Sequence, residues 1–159
     1  MHTTRLASAG VMGLVAALVW APACSRSSSS GTLRQEDIGF SMRVPAGWAI
    51  DDHAPDLCSR GEGTGMVLVE PADGQSFQAY VEERQREFGA HCAARRQTTV
   101  AGHPAVELVL EYPDQGSTAL QLVIELHDLF ATVSFTMPSA EFPAQAEAIR
   151  QAFRTVSLP

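Results

Sequence analysis

The sequence predicts an α+β domain: an antiparallel sheet of about six strands with two main helices packed on it as layers. Three observations predict it. Apolar residues recur with period two in short runs bounded by Gly, Pro and Asp turns. From about residue 96 these runs follow one another with only short turns between them, the pattern of an antiparallel meander. Two other segments, one central and one C-terminal, switch to a helical period, and strands plus two amphipathic helices pack in layers around one core.

Taken in order, Ile38–Val44 alternates and reads as a strand, and Pro45-Ala46-Gly47 turns the chain into Trp48-Ala49-Ile50. Asp51 to Gly63 reads as a polar loop carrying Cys58. Thr64–Glu70 is a strand whose continuous apolar run suits a central position. Pro71-Ala72-Asp73-Gly74 breaks it, and Ser76 is placed to cap a helix from Phe77 to about Gly89, with Phe77, Tyr80, Val81 and Phe88 on one face. Period two returns in Arg96–Val100, Ala105–Tyr112, Ser117–Leu126 and Leu129–Met137. Ala101-Gly102-His103-Pro104, Pro113-Asp114-Gln115-Gly116 and His127-Asp128 are the turns between them. Ser139 then caps a last helix, whose Phe142, Ala146, Ile149, Phe153 and Val156 form one stripe; Pro143 falls in its first turn, where a missing N–H does little harm.

The 159 residues divide into three parts. Residues 1–23 read as an export signal: a short positive start ending at Arg5, an apolar stretch from Leu6 to Trp20, and Ala21-Pro22-Ala23 before Cys24. That tripeptide is itself an A-x-A site for ordinary signal peptidase. With Cys24 directly after it, it also resembles a degenerate lipobox, Ala21 standing where Leu is usual. The run Ser25-Arg26-Ser27-Ser28-Ser29-Ser30-Gly31 favours the second reading, in which Cys24 is the lipidation site and residues 24–36 are a lipidated cysteine and its serine-rich tether. Several acyl chains on one cysteine anchor stably at about 0.8 kcal/mol per CH₂. The tether spans roughly 20 Å as a flexible coil. Residues 37–159 form the single domain.

Charge narrows the partners. All eleven basic residues are arginine, and without Arg5 the mature chain sets ten of them against 18 acids, a balance of −8. That sign repels a phosphate backbone, so nucleic acid is not an expected partner, and it repels an anionic bilayer, so a membrane would be held through the lipid on Cys24. With Cys24 acylated, Cys58 and Cys92 remain, and an even pair in an exported protein predicts a disulfide, with free thiols as the alternative. A sharper reading groups His53, Cys58, His91 and Cys92 as metal ligands, although their spacing is not that of a zinc finger. No cofactor or resident metal is expected.

No catalytic motif survives inspection. A Walker loop needs a lysine and the chain has none, and neither G-x-S-x-G nor H-E-x-x-H occurs. Gly61-Glu62-Gly63-Thr64-Gly65 precedes a strand instead of joining strand to helix, so it reads as a loop and not as a phosphate cradle. Asp51-Asp52-His53 and His103 read as solvated turn residues. Arg95-Arg96 is a small basic pair, either a solvated strand start or a grip for an acidic partner.

Three stretches carry a family resemblance: Phe40-Ser41-Met42-Arg43-Val44-Pro45-Ala46-Gly47-Trp48, Thr99-Val100-Ala101-Gly102-His103-Pro104-Ala105, and Val133-Ser134-Phe135-Thr136-Met137-Pro138 leading to Phe153-Arg154-Thr155-Val156. In order and spacing the chain resembles the PsbP/Mog1/DcrB-type fold, including the bacterial DUF1795-like and mycobacterial LpqN-like lipoproteins. The resemblance implies helices packed on a sheet, Trp48 in the core, and binding or accessory work, not catalysis. The expectation is therefore a non-enzymatic lipoprotein of the cell envelope, at the outer membrane in a Gram-negative host and otherwise on the outer face of the plasma membrane. It would bind a protein or small ligand. A secretion-associated chaperone or adaptor of the same fold, and a metal-binding protein or metal-dependent hydrolase built on the four His and Cys residues, are the alternatives.

Overall fold

The computed structural model describes residues 31–159; the leader, the cleavage site and Cys24 lie outside the described residues. The strands are β1 (Thr32–Gln35), β2 (Phe40–Arg43), β3 (Ala49–Asp51), β4 (Ala54–Arg60), β5 (Gly63–Pro71), β6 (His91–Val100), β7 (His103–Tyr112), β8 (Ser117–Glu125) and β9 (Leu129–Pro138). The helices are α1 (Phe77–Arg84) and α2 (Phe142–Phe153). Strands β1 and β2 pair as a separate hairpin, and the other seven form one antiparallel sheet in the order β3-β4-β5-β9-β8-β7-β6. The α+β class with two helices on a large antiparallel sheet is therefore as the sequence predicts.

Several element boundaries differ from expectation; β6, for one, begins at His91 and not at Arg96. Thr32–Gln35, read as the end of the tether, is a strand because Leu33 is an apolar anchor with no exposed surface. The stretch taken as a polar loop contains β4: alternation buries Cys58 and leaves Pro55 and Ser59 outward, a half-buried pattern hidden by the charged and turn residues around it. Helix α1 stops at Arg84, five residues short of the expected glycine. A separate 3-10 turn over Glu87–Gly89 follows, in which Phe88 takes a left-handed conformation at φ 53°. Ser76 does cap α1, its Oγ accepting from the Ala79 N–H at 3.2 Å. Ser139 does not cap α2; its hydroxyl shares a hydrogen bond with Thr118 Oγ1 at 2.9 Å.

The two faces of the sheet are covered unequally. One carries α2 and the β1–β2 hairpin over a core that includes Leu33, Phe40, Trp48, Val133, Phe135 and Ile149. The α2 stripe lies here as predicted, and backbone bonds between Ser41 and Ser157 tie the end of the chain to β2. Trp48 is core: its ring meets Phe135 edge-on at 5.0 Å. Phe135 in turn lies 6.0 Å from Phe153 of α2. The other face carries only α1, whose Tyr80 and Val81 pack on Val106, Leu108, Leu110 and Phe130.

A side chain at Gly65 would collide with this first core. A Cβ there would stand 2.6 Å from both Cys58 Sγ and the Phe135 ring. We expect Gly65→Ala to lower the urea midpoint by an amount equivalent to about 1–3 kcal/mol, the usual cost of overpacking. An unchanged midpoint would show that the ring does not depend on the gap.

Candidate functional site

Helix α1 has eight residues and is too short to cross its face of the sheet. The uncovered part is a cleft of about 570 Å³ floored by β5, β9 and β8. Strict alternation builds the floor. In β9, Phe130, Thr132, Ser134 and Thr136 point to this face while Ala131, Val133 and Phe135 point to the larger core. In β5, Met66 and Leu68 point into the cleft, and each keeps 40% of its surface exposed although its strand lies inside the sheet. The floor is thus a thioether and an isobutyl group beside a row of hydroxyls, a surface with apolar and hydrogen-bonding halves.

One wall is an ionic and aromatic cluster. Tyr80 Oη donates to Glu70 Oε2 and lies 3.1 Å from Thr132 Oγ1. The Arg84 guanidinium sits over the Tyr80 ring at 5.2 Å, pairs with Glu70 at 3.5 Å and donates to Glu87 Oε1. Burial pushes the Tyr80 hydroxyl up to about 12, and the bond to Glu70 adds to the rise. Burial also raises Glu87, against the pull of Arg84, and raises Tyr112, with Glu87 adding to it. A tyrosine held so firmly neutral is a hydrogen-bond donor at physiological pH and not a base. Phe88, 81% exposed in its left-handed turn, stands at the rim. On the floor Gln121 is only 8% exposed; its Nε2 donates to Ser134 Oγ at 3.3 Å, and its Oε1 is a buried acceptor without a protein partner. The cleft offers binding surface and fixed dipoles.

None of this was singled out in the sequence. Alternation does place hydroxyls at every second position of β9, but the apolar pattern that runs on to Phe88 gives no sign that α1 ends at Arg84. The residues that were singled out are dispersed. Cys58 and Cys92 are free thiols, so the expected disulfide is not formed. They lie five strands apart in the sheet order, about 24 Å along it. They also face opposite sides, Cys58 in the larger core and Cys92 beside the α1 cluster. A disulfide needs Cα atoms within about 7 Å. The same topology separates the metal constellation: His53 lies in the β3–β4 turn with Cys58 nearby, whereas His91 and Cys92 open β6 at the far edge. Among the described residues no three His, Cys, Asp or Glu side chains gather as metal ligands. Asp51 accepts from the His53 N–H at 2.8 Å, closing a local turn.

No protein-family model matches the chain, and no curated protein matches it by sequence. Solved structures do match. LpqN of Mycobacterium tuberculosis, described as involved in cell envelope biogenesis, superposes with a TM-score of 0.61 at 15% identity, over 76% of this chain and 84% of its own. The cyanobacterial PsbP of Synechocystis gives 0.55 at 9% identity, over 86% and 98%. PA94, a protein of unknown function from Pseudomonas aeruginosa, gives 0.54 at 19%, over 80% and 95%. At such identities the shared property is the fold, and it is PsbP- and LpqN-like.

The cysteines generate two expectations. Burial pushes the Cys58 thiol up to about 12, so it should resist iodoacetamide in the native protein while half-buried Cys92 reacts, and both should titrate after unfolding without reductant. A disulfide found by non-reducing peptide mapping would contradict the topology. Cys58 and Tyr80 both have folded values above their unfolded ones, 9.0 and 10.0, so the stability they confer is complete below pH 9 and lost as pH rises toward 12. The urea midpoint should therefore fall across that window, and Cys58→Ala should flatten its lower half.

Proposed function

We propose that this chain is an exported lipoprotein, anchored through Cys24, that works without catalysis as a binding or accessory protein of the cell envelope and takes its ligand in the cleft left open by α1. The observation that carries the reading is the pair Met66 and Leu68: two apolar side chains, each 40% exposed, on an interior strand of the sheet. Exposed apolar surface of this kind costs solubility unless something covers it, and rimmed by polar groups it marks a binding site. The hydroxyl row and the unpartnered Gln121 acceptor suit a ligand that is apolar along one part and hydrogen-bonding along another.

Support for the envelope comes from two directions. The leader, the cysteine after Ala23 and the serine run have the order of a lipoprotein N-terminus. LpqN, which shares the fold, is described as acting in cell envelope biogenesis. The PsbP- and LpqN-like neighbours are not described as enzymes.

Two measurements test the two halves of the proposal. Intact-mass spectrometry of the native product should show a chain beginning at acylated Cys24; residue 24 unacylated, or residues 1–23 still attached, would sink the anchored reading. For the cleft, the neutral dye Nile red should brighten on binding, and Leu68→Glu should weaken it by about tenfold or more, the loss that ~1.4 kcal/mol represents. Circular dichroism should stay unchanged, because Leu68 is already partly in water. Equal dye binding by the variant would place the ligand elsewhere.

A further inference from the structure

On the opposite face, between α2 and the β6 side of the sheet, lies a second cleft of about 350 Å³ lined by Arg96, Arg150 and Arg154. We infer that it is a phosphate-binding site, independent of the cleft under α1. The inference starts from charge. The chain has eleven arginines, no lysine and 18 acids, yet three of those arginines share one cleft. Arg150 lies in the last turn of α2 and Arg154 caps its C-terminus, four residues on, so the two side chains rise on one side of the helix end.

The floor of the cleft explains what the arrangement can hold. Glu107 on β7 is buried and lies opposite Arg96 on β6. Its Oε2 accepts from Arg96 Nη2 at 2.7 Å and its Oε1 from Arg150 Nε at 2.8 Å. One carboxylate thus orients two guanidinium groups and neutralises only one. Arg150 spends its Nε on this bond, and among the described residues its two terminal nitrogens meet no acceptor. Arg154 is 72% exposed, with Glu147 no nearer than 4.0 Å. The result is an excess of positive charge, with the Arg96 and Arg150 forks held in direction by Glu107 and Arg154 beside them, which suits the several oxygens and double charge of a phosphate group better than the single charge of a carboxylate. Thr98 and Thr99 add hydroxyls at the edge, and Phe153 and Val156 add an apolar wall beside which the ester's organic part would lie.

The test is titration of inorganic phosphate into the ¹⁵N-labelled full processed chain, with sodium chloride and sodium acetate at matched ionic strength as controls. Saturable shifts confined to the 96–101 and 150–156 segments are expected. Arg154→Gln should weaken them by about tenfold, the order of one charge-assisted bond. Arg96→Lys keeps the charge and loses the fork, and should fall between. Neither variant leaves Glu107 without an ionic partner, so thermal unfolding should be near that of the parent chain and report a folded protein. Shifts that do not saturate, equal shifts with acetate or chloride, or undiminished binding by Arg154→Gln would overturn the inference. Glycerol phosphate and phosphatidylcholine vesicles carrying phosphatidate separate the sources: tighter binding of either supports the site and assigns the phosphate to a soluble ester or a lipid headgroup, and binding of neither overturns it. Because Arg154 and Leu68 lie on opposite faces, loss of phosphate binding leaves the dye result standing, and the reverse.

Discussion

The ring of Phe135 lies where Gly65 has no side chain, and the larger core is organised around that contact. The ring rests against the β5 backbone with Cys58 Sγ on the far side of the glycine, so β4, β5 and β9 are held at one depth. Trp48 meets its edge and Phe153 approaches from α2, so one aromatic group joins the β2–β3 connection, the middle of the sheet and the last helix. An aromatic ring over a strand glycine also fixes register, since a slip of one residue would turn Phe135 to the other face and set Thr136 against the gap. The hairpin β1–β2 and the chain end follow from this, because Leu33, Phe40 and Met42 bury against the same cluster and Ser157 is bonded to Ser41.

With the larger core gathered on one face, the other has latitude. Its smaller cluster needs only Tyr80, Val81 and Phe77 to cover Phe130 and the β7 leucines, and two turns of helix suffice. The chain then leaves the helix through Gln85 and a left-handed Phe88 and returns to the sheet edge. The Glu70–Arg84–Glu87 ion pairs and the Tyr80 hydroxyl pin this exit to β5 and β9. They make the cleft a fixed wall beside an open floor.

Much of this fold was legible because alternation and turn chemistry agree along the second half of the chain. Strands β7, β8 and β9 and the α2 stripe fall where period and turns put them. What alternation hides is double burial: Ala119–Ile124 is buried on both faces, and the leucines of β8 and those of β7 serve opposite cores. Strand β4 was missed because Pro55, Asp56 and Arg60 look like a loop until β5 supplies a partner. The cysteine pairing failed for a related reason. Parity counts thiols, whereas the strand order that sends β6 to the far edge is a property of the whole sheet. The cleft was illegible for the converse reason: nothing local in Met66 or Leu68 reports that the helix above them ends too soon.

The two clefts are built from the two sides of the same strands, and this bears on how the molecule can work. On β7, Glu107 turns toward the arginines and Leu108 toward α1; on β8, Leu122 lines the arginine cleft and Gln121 floors the other. A close-packed sheet with both faces buried at β8 does not deform easily to pass a signal between them. On the two readings proposed above, the ligands would sit back to back across such a plate, each without displacing the other. The remainder of the chain is acidic and repels nonspecific anions, so the three arginines of this cleft, two of them oriented by one buried carboxylate, stand out as a local exception to the charge of the whole. If the proposed anchor holds the domain near a membrane, that division would let apolar groups be taken on the face that a short helix leaves open and charged ones on the face where β6 and α2 bring the arginines together.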